Sequence, residues 1–254
     1  MSSRQITYRG FLIRLRNIAK IALESYGLES NNLKFITYTG NGLYRVTVRK
    51  GDSSPKHIEP GRYALRLHQP NYMKPKYITS EMEWLYALSQ DGISVPKPIR
   101  NLDGNWLTVA DGNYKVPAKR NSTLVGWSEG RLLQNAHPKH FRSLGRVIGQ
   151  LHEQSMKWKR PKGFARPHWD WNGLFGDGFD YGFSATEARE AIPTEHQKSF
   201  KQVLERVAEF SESHGKGKKV YGLIHADFDV MDNATYYGGE IHPFDFDDCG
   251  YGYW

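Results

Sequence analysis

The feature that most constrains this chain is a run of acidic and amide side chains near its C-terminal end. Ile224-His225-Ala226-Asp227 is followed by Asn233 and then by Asp245-Phe246-Asp247-Asp248, with short hydrophobic segments on either side. Residues at the ends of neighbouring strands lie on adjacent loops, so these oxygen-bearing side chains are expected to meet. Carboxylates held together repel one another unless a cation is present. The run therefore predicts a site for a divalent metal.

Phosphoryl transfer needs this kind of arrangement. One carboxylate has to orient and deprotonate the attacking hydroxyl, while other oxygen ligands hold Mg²⁺, a hard cation that bridges the phosphates. Single Asp and Asn residues are common in ordinary turns, so none of them identifies a site alone. The complete set, bracketed by hydrophobic strands, favours a phosphotransferase.

Residues 220–254 resemble the signature of the aminoglycoside phosphotransferase and choline kinase-like family. The resemblance implies that Asp227 is the catalytic base and that Asn233 and Asp245 are ligands of Mg²⁺. It also implies that His225 supports the loop by packing and hydrogen bonding. The activity expected from the resemblance is transfer of the γ-phosphate of ATP to a hydroxyl of a small molecule or a protein.

The spacing of this segment departs from the family pattern. The family usually has four residues between the base and the Asn, whereas this chain has five, Phe228 to Asp232. Asp232 stands at the usual spacing, but Asn233 is preferred because residues 233 to 245 then align without a gap. A second departure is Asp229, where relatives often have His.

The N-terminal half extends the resemblance to the nucleotide site. The turn Gly40-Asn41-Gly42 resembles a phosphate-covering loop, in which small residues let backbone N–H groups approach phosphates. Such a turn is also common in plain hairpins. Arg66 stands in the strand where kinases have a phosphate-binding lysine. Arginine also pairs with phosphate, although its planar fork differs from a point ammonium.

A carboxylate and a hinge complete the expected ATP site. The resemblance favours Glu81 over Glu83 as the partner of the strand cation, and two residues this close in sequence do not share a helix face. Residues 122–130 resemble the hinge that binds adenine through its backbone, which makes Val125 and Trp127 candidate nucleotide contacts.

The distribution of elements predicts an α+β protein with a two-lobed, protein-kinase-like fold. Strand patterns lie mainly before residue 120 and include Leu43–Lys50, Arg62–His68 and Tyr114–Ala118. Amphipathic helices are predicted over 11–26, His137–Met156 and His196–Ser213, and a loop is predicted over 158–182. We expect an N-lobe with an antiparallel sheet over 1–122, a hinge over 123–130 and a mainly helical C-lobe over 131–254. Known relatives continue past the last motif, so the C-lobe is expected to be incomplete.

Charge and cysteine content limit the partners. The net charge of +8 favours anionic ligands, either nucleotide phosphate or nucleic acid. No nucleic acid is expected, because the basic residues are dispersed apart from Lys216-Gly217-Lys218-Lys219. No apolar stretch reaches the roughly 18 residues of a membrane span. With a single cysteine, Cys249, and no signal-like N-terminus, the prediction is a cytoplasmic protein.

Two other functions stay open from the sequence. A metal-dependent phosphoesterase would use His225, His242 and the same aspartates, but would leave Arg66 without a purpose. A pseudokinase or binding module would bind nucleotide or a partner without turnover. The acceptor cannot be read, because the residues expected to select it lie mostly in 158–195 and beyond the present C-terminus.

Overall fold

The computed structural model describes residues 6–29, 33–176 and 185–254. The helices in these ranges are α1 (Tyr8–Glu24), α2 (Pro75–Gln90), α3 (Pro138–Lys157), α4 (Trp171–Phe175), α5 (Ala185–Glu190) and α6 (Thr194–His214). The strands are β1 (Leu33–Tyr38), β2 (Gly42–Val48), β3 (Gly61–Leu67), β4 (Pro98–Ile99), β5 (Thr108–Ala110), β6 (Arg120–Gly126), β7 (Tyr221–Ile224), β8 (Ala234–Tyr237), β9 (Glu240–Pro243) and β10 (Gly250–Tyr253). Within the described ranges, no helix combines the length and the apolar character that a membrane span requires.

The chain divides into two compact units. The first unit contains Met1–Tyr86 and Pro96–Trp127, and the second contains Ala87–Val95 and Ser128–Trp254. Helix α2 therefore contributes its last residues to the second unit. The division of the sequence into an N-lobe, a hinge over 123–130 and a C-lobe stays a proposal.

The first unit is built on an antiparallel sheet with the order β1-β2-β3-β6-β4, and β5 also pairs with β6. Strand β2 alternates strictly between buried and half-buried side chains, which is the period of two expected when one face covers a core. Its register runs from Gly42 opposite Leu67 to Val48 opposite Gly61. The sheet thus places Arg66, on β3, between β2 and β6.

Helix α1 packs into the core of the first unit. Its N-cap is Thr7, whose hydroxyl accepts a hydrogen bond of 3.1 Å from the Gly10 N–H. The buried stripe of α1 has the helical period and joins buried residues of the sheet; its members are Leu15, Ile18, Ala19, Ala22 and Leu23. After the helix, Gly27 adopts φ 65°, a left-handed conformation that suits glycine.

In the second unit, α3 supports two short strand pairs, β7 with β10 and β8 with β9. Two buried serines of α3 bind these strands. Ser155 Oγ accepts from the Leu223 N–H at 2.8 Å, and Ser143 Oγ accepts from the Ile241 N–H at 2.9 Å. Because buried backbone donors require partners, these hydroxyls satisfy strand N–H groups on the side facing the helix.

One strand prediction was wrong. Residues 114–118 form no strand, and the strand of this region is Arg120–Gly126. Pro117 has no N–H to donate, which disfavours a central strand there. The polar residues of β6 are buried because they are hydrogen-bonded: Ser122 Oγ donates to the Thr108 carbonyl at 3.3 Å, and Thr123 Oγ1 lies 3.0 Å from His68 Nε2.

The region predicted as a loop over 158–182 contains the short helix α4. Asp170 caps this helix, because its Oδ1 accepts a hydrogen bond of 2.8 Å from the Gly173 N–H. Residues 177–182 of the predicted loop lie outside the described residues. Strand β10 and helix α5 were not predicted.

Candidate active site

His225 anchors the loop that follows β7. Its ring is buried, with centroids 4.9 Å from Phe228 and 4.3 Å from Phe246. Nε2 lies 2.9 Å from the carbonyl oxygen of Phe244. A carbonyl can only accept, so Nε2 is the protonated nitrogen. Burial lowers the pKa of His225 to about 4, which keeps the ring neutral near pH 7.

Asp227 is exposed and is held by Asn233. The Asn233 amide Nδ2 donates two hydrogen bonds of 2.7 Å, one to the main-chain carbonyl of Asp227 and one to its carboxylate Oδ2. Ala226, directly before the carboxylate, has φ 71°. Non-glycine residues in this region are uncommon and cluster at functional sites, where the surrounding structure has to hold them.

The extra residue of this loop is taken up by a turn at Asp229. The Asp229 Oδ1 accepts from the N–H groups of Met231 and Asp232 at 2.6 and 3.3 Å, and the Asp229 carbonyl accepts from the Asn233 N–H at 3.0 Å. Asp229 thus stabilises the turn with its own carboxylate. The contact with Asp227 is made by Asn233, which supports Asn233 rather than Asp232 as the site residue.

Asp245 lies next to Asn233 because of the β8–β9 pair. Ala234 is opposite Pro243 in this pair, and one step further the Phe244 N–H donates to the Asn233 carbonyl at 2.9 Å. Asp245 follows immediately with φ 64°. The structure therefore brings the three residues predicted for catalysis and metal binding to neighbouring loops, two of which contain a strained backbone position.

The oxygen donors of this site are suited to Mg²⁺ that is bound together with a nucleotide. Among the described residues, no three His, Cys, Asp or Glu side chains are grouped so that they could hold a metal. Mg²⁺ usually takes one or two carboxylates and completes its shell with phosphate oxygens and water. Asn233 directs its amide nitrogen to Asp227, which leaves its amide oxygen as the atom able to bind a cation.

The phosphoesterase alternative finds no support in the two histidines. His225 donates to Phe244 through Nε2. His242 Nε2 lies 3.1 Å from the Tyr237 carbonyl and is therefore protonated, so Nδ1 accepts from the Ser94 hydroxyl at 2.5 Å. Neither ring lies in a group of metal-binding side chains within the part of the chain that the structure describes.

In the first unit, Arg66 pairs with Glu81. Arg66 Nη1 lies 3.4 Å from Glu81 Oε1, and the two side chains are 15% and 2% exposed. The structure thus brings together the cation and the carboxylate that the resemblance favoured. Glu83 is half-buried, and this burial raises the pKa of its carboxyl, while the charge of Arg100 partly offsets the rise.

The turn at Gly40-Asn41-Gly42 is packed against Gln69. The Asn41 Oδ1 accepts from the Gln69 N–H at 2.8 Å, and a Cβ built on Gly40 would lie 2.1 Å from Gln69 Oε1. Gly40 has φ 102°, a left-handed conformation that favours glycine, whereas the Gln69 amide is the end of a flexible side chain and could move aside. The role of this turn in covering phosphates stays a prediction.

The backbone of the predicted hinge is already hydrogen-bonded. Val125 lies in β6 opposite Ala64 on one side and Pro98 on the other. The Trp127 N–H donates to the Arg62 carbonyl at 3.0 Å. The Trp127 amide is therefore occupied within the sheet, and an adenine contact from this residue would have to come from another of its atoms.

The contacts that Arg166 and Trp169 make with the chain directly after Asp245 were not predicted from the sequence. Arg166 is 3% exposed, and both side chains donate to main-chain carbonyls of residues 247–249. The only available signal was an arginine in an aromatic segment, ARPHWDW, which is too weak to identify a role.

A search of protein families matches residues 45–254 to the phosphotransferase enzyme family, APH. The chain belongs to this family. The matched range includes Arg66 and Glu81 as well as every predicted site residue of the second unit, and it omits the turn at 40–42. The resemblance proposed from the C-terminal motif is confirmed.

Individual relatives are small-molecule kinases. The amicoumacin kinase of Bacillus subtilis (strain 168) is 28% identical over 240 residues, which is 91% of this chain and 62% of the relative. The structure of the microcompartment-associated aminopropanol kinase is 29% identical, with a TM-score of 0.69, over 93% of this chain and 70% of that one. The structure of an amicoumacin kinase in complex with AMP-PNP, Ca²⁺ and Ami is 25% identical, with a TM-score of 0.72, over 97% of this chain and 68% of that one.

These comparisons confirm the predicted α+β, kinase-like fold of this phosphotransferase family member. The chain spans less than two thirds of the length of the Bacillus relative. It spans about half the length of the homoserine kinase of Sinorhizobium medicae (strain WSM419), to which it is 26% identical.

Proposed function

We propose that this chain contains the catalytic core of an ATP-dependent phosphotransferase that moves the γ-phosphate to a hydroxyl of a small molecule. The observation that supports this best is the hydrogen bond from Asn233 to the Asp227 carboxylate, on a loop adjacent to Asp245. Relatives named as amicoumacin, homoserine and aminopropanol kinases all act on hydroxyl-bearing small molecules. ATP as donor, together with a cysteine content of one in this chain, supports a cytoplasmic location.

Each residue has a defined task in this reaction. The exposed Asp227 carboxylate accepts the proton of the attacking hydroxyl, and the Asn233 amide holds that carboxylate in one orientation. The Asn233 amide oxygen and the Asp245 carboxylate would hold Mg²⁺, which supplies charge neutralisation when it is bound with the nucleotide. Arg66, held by Glu81, would contact the phosphates.

The test is a transfer assay with γ-labelled ATP over hydroxyl acceptors, including amicoumacin, homoserine and aminopropanol. Asp227→Asn keeps the size of the side chain and removes the base, so transfer should fall by about 10³-fold while folding is retained. Asn233→Ala should also lose most activity. Asp232→Asn is the matched control, because Asp232 lies on the same loop and has no contact with Asp227 among those described.

Three results would contradict the proposal in different ways. Full activity of the Asp227→Asn variant would show that Asp227 is not the catalytic base. Activity that depends on Asp232 but not on Asn233 would move the metal site to the usual family spacing. Nucleotide binding by the wild type without transfer to any acceptor would favour the pseudokinase alternative.

A further inference from the structure

Arg166 is a buried cation in the loop before α4, and it binds backbone rather than solvent. Its Nε donates to the Cys249 carbonyl and its Nη2 to the Asp247 carbonyl, both at 2.5 Å. The guanidinium is always charged and presents its donors in a fixed fork. Two hydrogen bonds from a charged group to one short stretch of backbone therefore fix both the position and the direction of that stretch.

Trp169 adds a third donor to the same stretch. Its indole Nε1 donates to the Asp248 carbonyl at 2.8 Å, so three consecutive carbonyls, 247 to 249, accept hydrogen bonds from this segment. The two backbones also pair directly: the Tyr251 N–H donates to the Pro167 carbonyl at 2.8 Å, and the Trp169 N–H donates to the Tyr251 carbonyl at 2.6 Å.

The close approach of the two segments depends on Gly250. A Cβ at this position would lie 2.6 Å from the Pro167 carbonyl oxygen and 2.7 Å from Trp169 Nε1. Both are closer than real Cβ contacts, and the first involves backbone, which cannot move aside easily. Residues 166–169 therefore approach Gly250 too closely for a side chain at that position.

The segment 247–249, whose carbonyls accept these hydrogen bonds, begins directly after Asp245 and Phe246. Asp245 has φ 64°, a conformation that costs free energy and persists only where the surroundings enforce it. On the N-terminal side, Phe244 is bound to Asn233 through its N–H and to His225 through its carbonyl. On the C-terminal side, Arg166 and Trp169 hold the carbonyls of residues 247 to 249, next to a turn in which the Cys249 N–H donates to the Phe246 carbonyl at 3.0 Å.

We infer that Arg166 and Trp169 are positioning residues for the metal ligand Asp245. This inference rests on the proposed function, since it assigns Mg²⁺ to Asp245. Residues that orient a ligand without touching the metal commonly change metal affinity by about 10- to 100-fold when they are replaced. Loss of the Arg166 fork should therefore weaken the metal contribution to nucleotide binding and leave the nucleotide's other contacts intact.

The test measures the dissociation constant of AMP-PNP by calorimetry, once with excess Mg²⁺ and once with EDTA. The dissociation constant with EDTA divided by the dissociation constant with Mg²⁺ reports the contribution of the metal. In Arg166→Gln the ratio should fall about tenfold, with the EDTA constant unchanged, and Arg166→Lys should restore part of it. Arg146→Gln is the matched control, because Arg146 is an exposed arginine of the same unit, paired with Glu240.

Trp169→Phe decides the question if the Arg166 variants do not fold. It keeps an aromatic ring and removes only the donor to the Asp248 carbonyl, so the ratio should fall about threefold to tenfold. Folded Arg166 and Trp169 variants with the wild-type ratio would overturn the inference while leaving the proposed function standing. A fall in affinity that is equal with Mg²⁺ and EDTA would also overturn it, because it indicates a general structural role. If Mg²⁺ does not increase the affinity of the wild type for AMP-PNP, the proposed function and this inference are both rejected.

Discussion

The stability of the second unit should depend on pH through His225. Its imidazole is buried between Phe228 and Phe246 and donates from Nε2 to the Phe244 carbonyl. In the unfolded chain a histidine has a pKa near 6.5, whereas burial lowers the pKa of the folded His225 to about 4. As the pH falls below about 6.5, the unfolded chain takes up a proton that the folded protein does not, so stability is lost.

The size of this effect follows from the two pKa values. With a folded pKa of about 4 and an unfolded pKa of about 6.5, lowering the pH from 7.5 to 5 reduces the free energy of unfolding by about 2 kcal/mol. The total loss of unfolding free energy, approached below pH 4, is about 3 kcal/mol. The stabilisation is complete above about pH 6.5 and decreases between that pH and about 4.

The assay compares wild type with His225→Gln by urea unfolding at a series of pH values from 5 to 7.5. Glutamine retains a donor for the Phe244 carbonyl but does not titrate, so all other groups cancel in the difference between the two proteins. That difference should shift by about 2 kcal/mol across the range, in favour of the variant at low pH. An NMR titration of the His225 ring gives the folded pKa directly. A flat difference, or a ring that titrates near 6.5, would refute the reasoning.

Two further predictions concern the first unit. Glu81→Gln removes the charge that holds Arg66, so it should weaken nucleotide binding about tenfold and destabilise the fold by about 3 kcal/mol, as measured by calorimetry and urea unfolding; Glu83→Gln is the control, and equal effects of both would contradict the assigned pair. Leu15→Ala empties a fully buried position of α1 and should cost about 2–5 kcal/mol of unfolding free energy. Ile13→Ala, at an exposed position of the same helix, should cost less than about 0.5 kcal/mol, and a similar loss in both variants would contradict the packing described.

Much of the fold follows from sequence patterns that act locally. The apolar period predicts α1 and α3, and alternation predicts β2 and β3, because a buried face imposes the period of the element that forms it. The range 114–118 was misassigned because its aromatic and β-branched residues suggest a strand, while Pro117 disfavours one. The buried polar residues of β6 gave no apolar pattern, and their burial depends on hydrogen bonds to distant residues such as Thr108 and His68.

The candidate site shows the same division between local pattern and tertiary contact. The order of His225, Asp227, Asn233 and Asp245 along the chain was sufficient to predict the chemistry, because phosphoryl transfer requires those atoms on adjacent loops. The spacing from Asp227 pointed to Asp232, whereas the spacing to Asp245 favoured Asn233. A side-chain hydrogen bond across the loop supports Asn233, and it forms only because the turn at Asp229 absorbs the extra residue.

The sequence by itself therefore determined the family, the kind of fold and the oxygen-rich segment, since each of these depends on residue types at fixed local intervals. Only the tertiary structure decided that the Trp127 amide is occupied by Arg62 and that Arg166 binds the backbone after Asp245. Each of these contacts joins groups from separate elements. Directional hydrogen bonds and ion pairs of this kind depend on how those elements pack, which local residue intervals do not record.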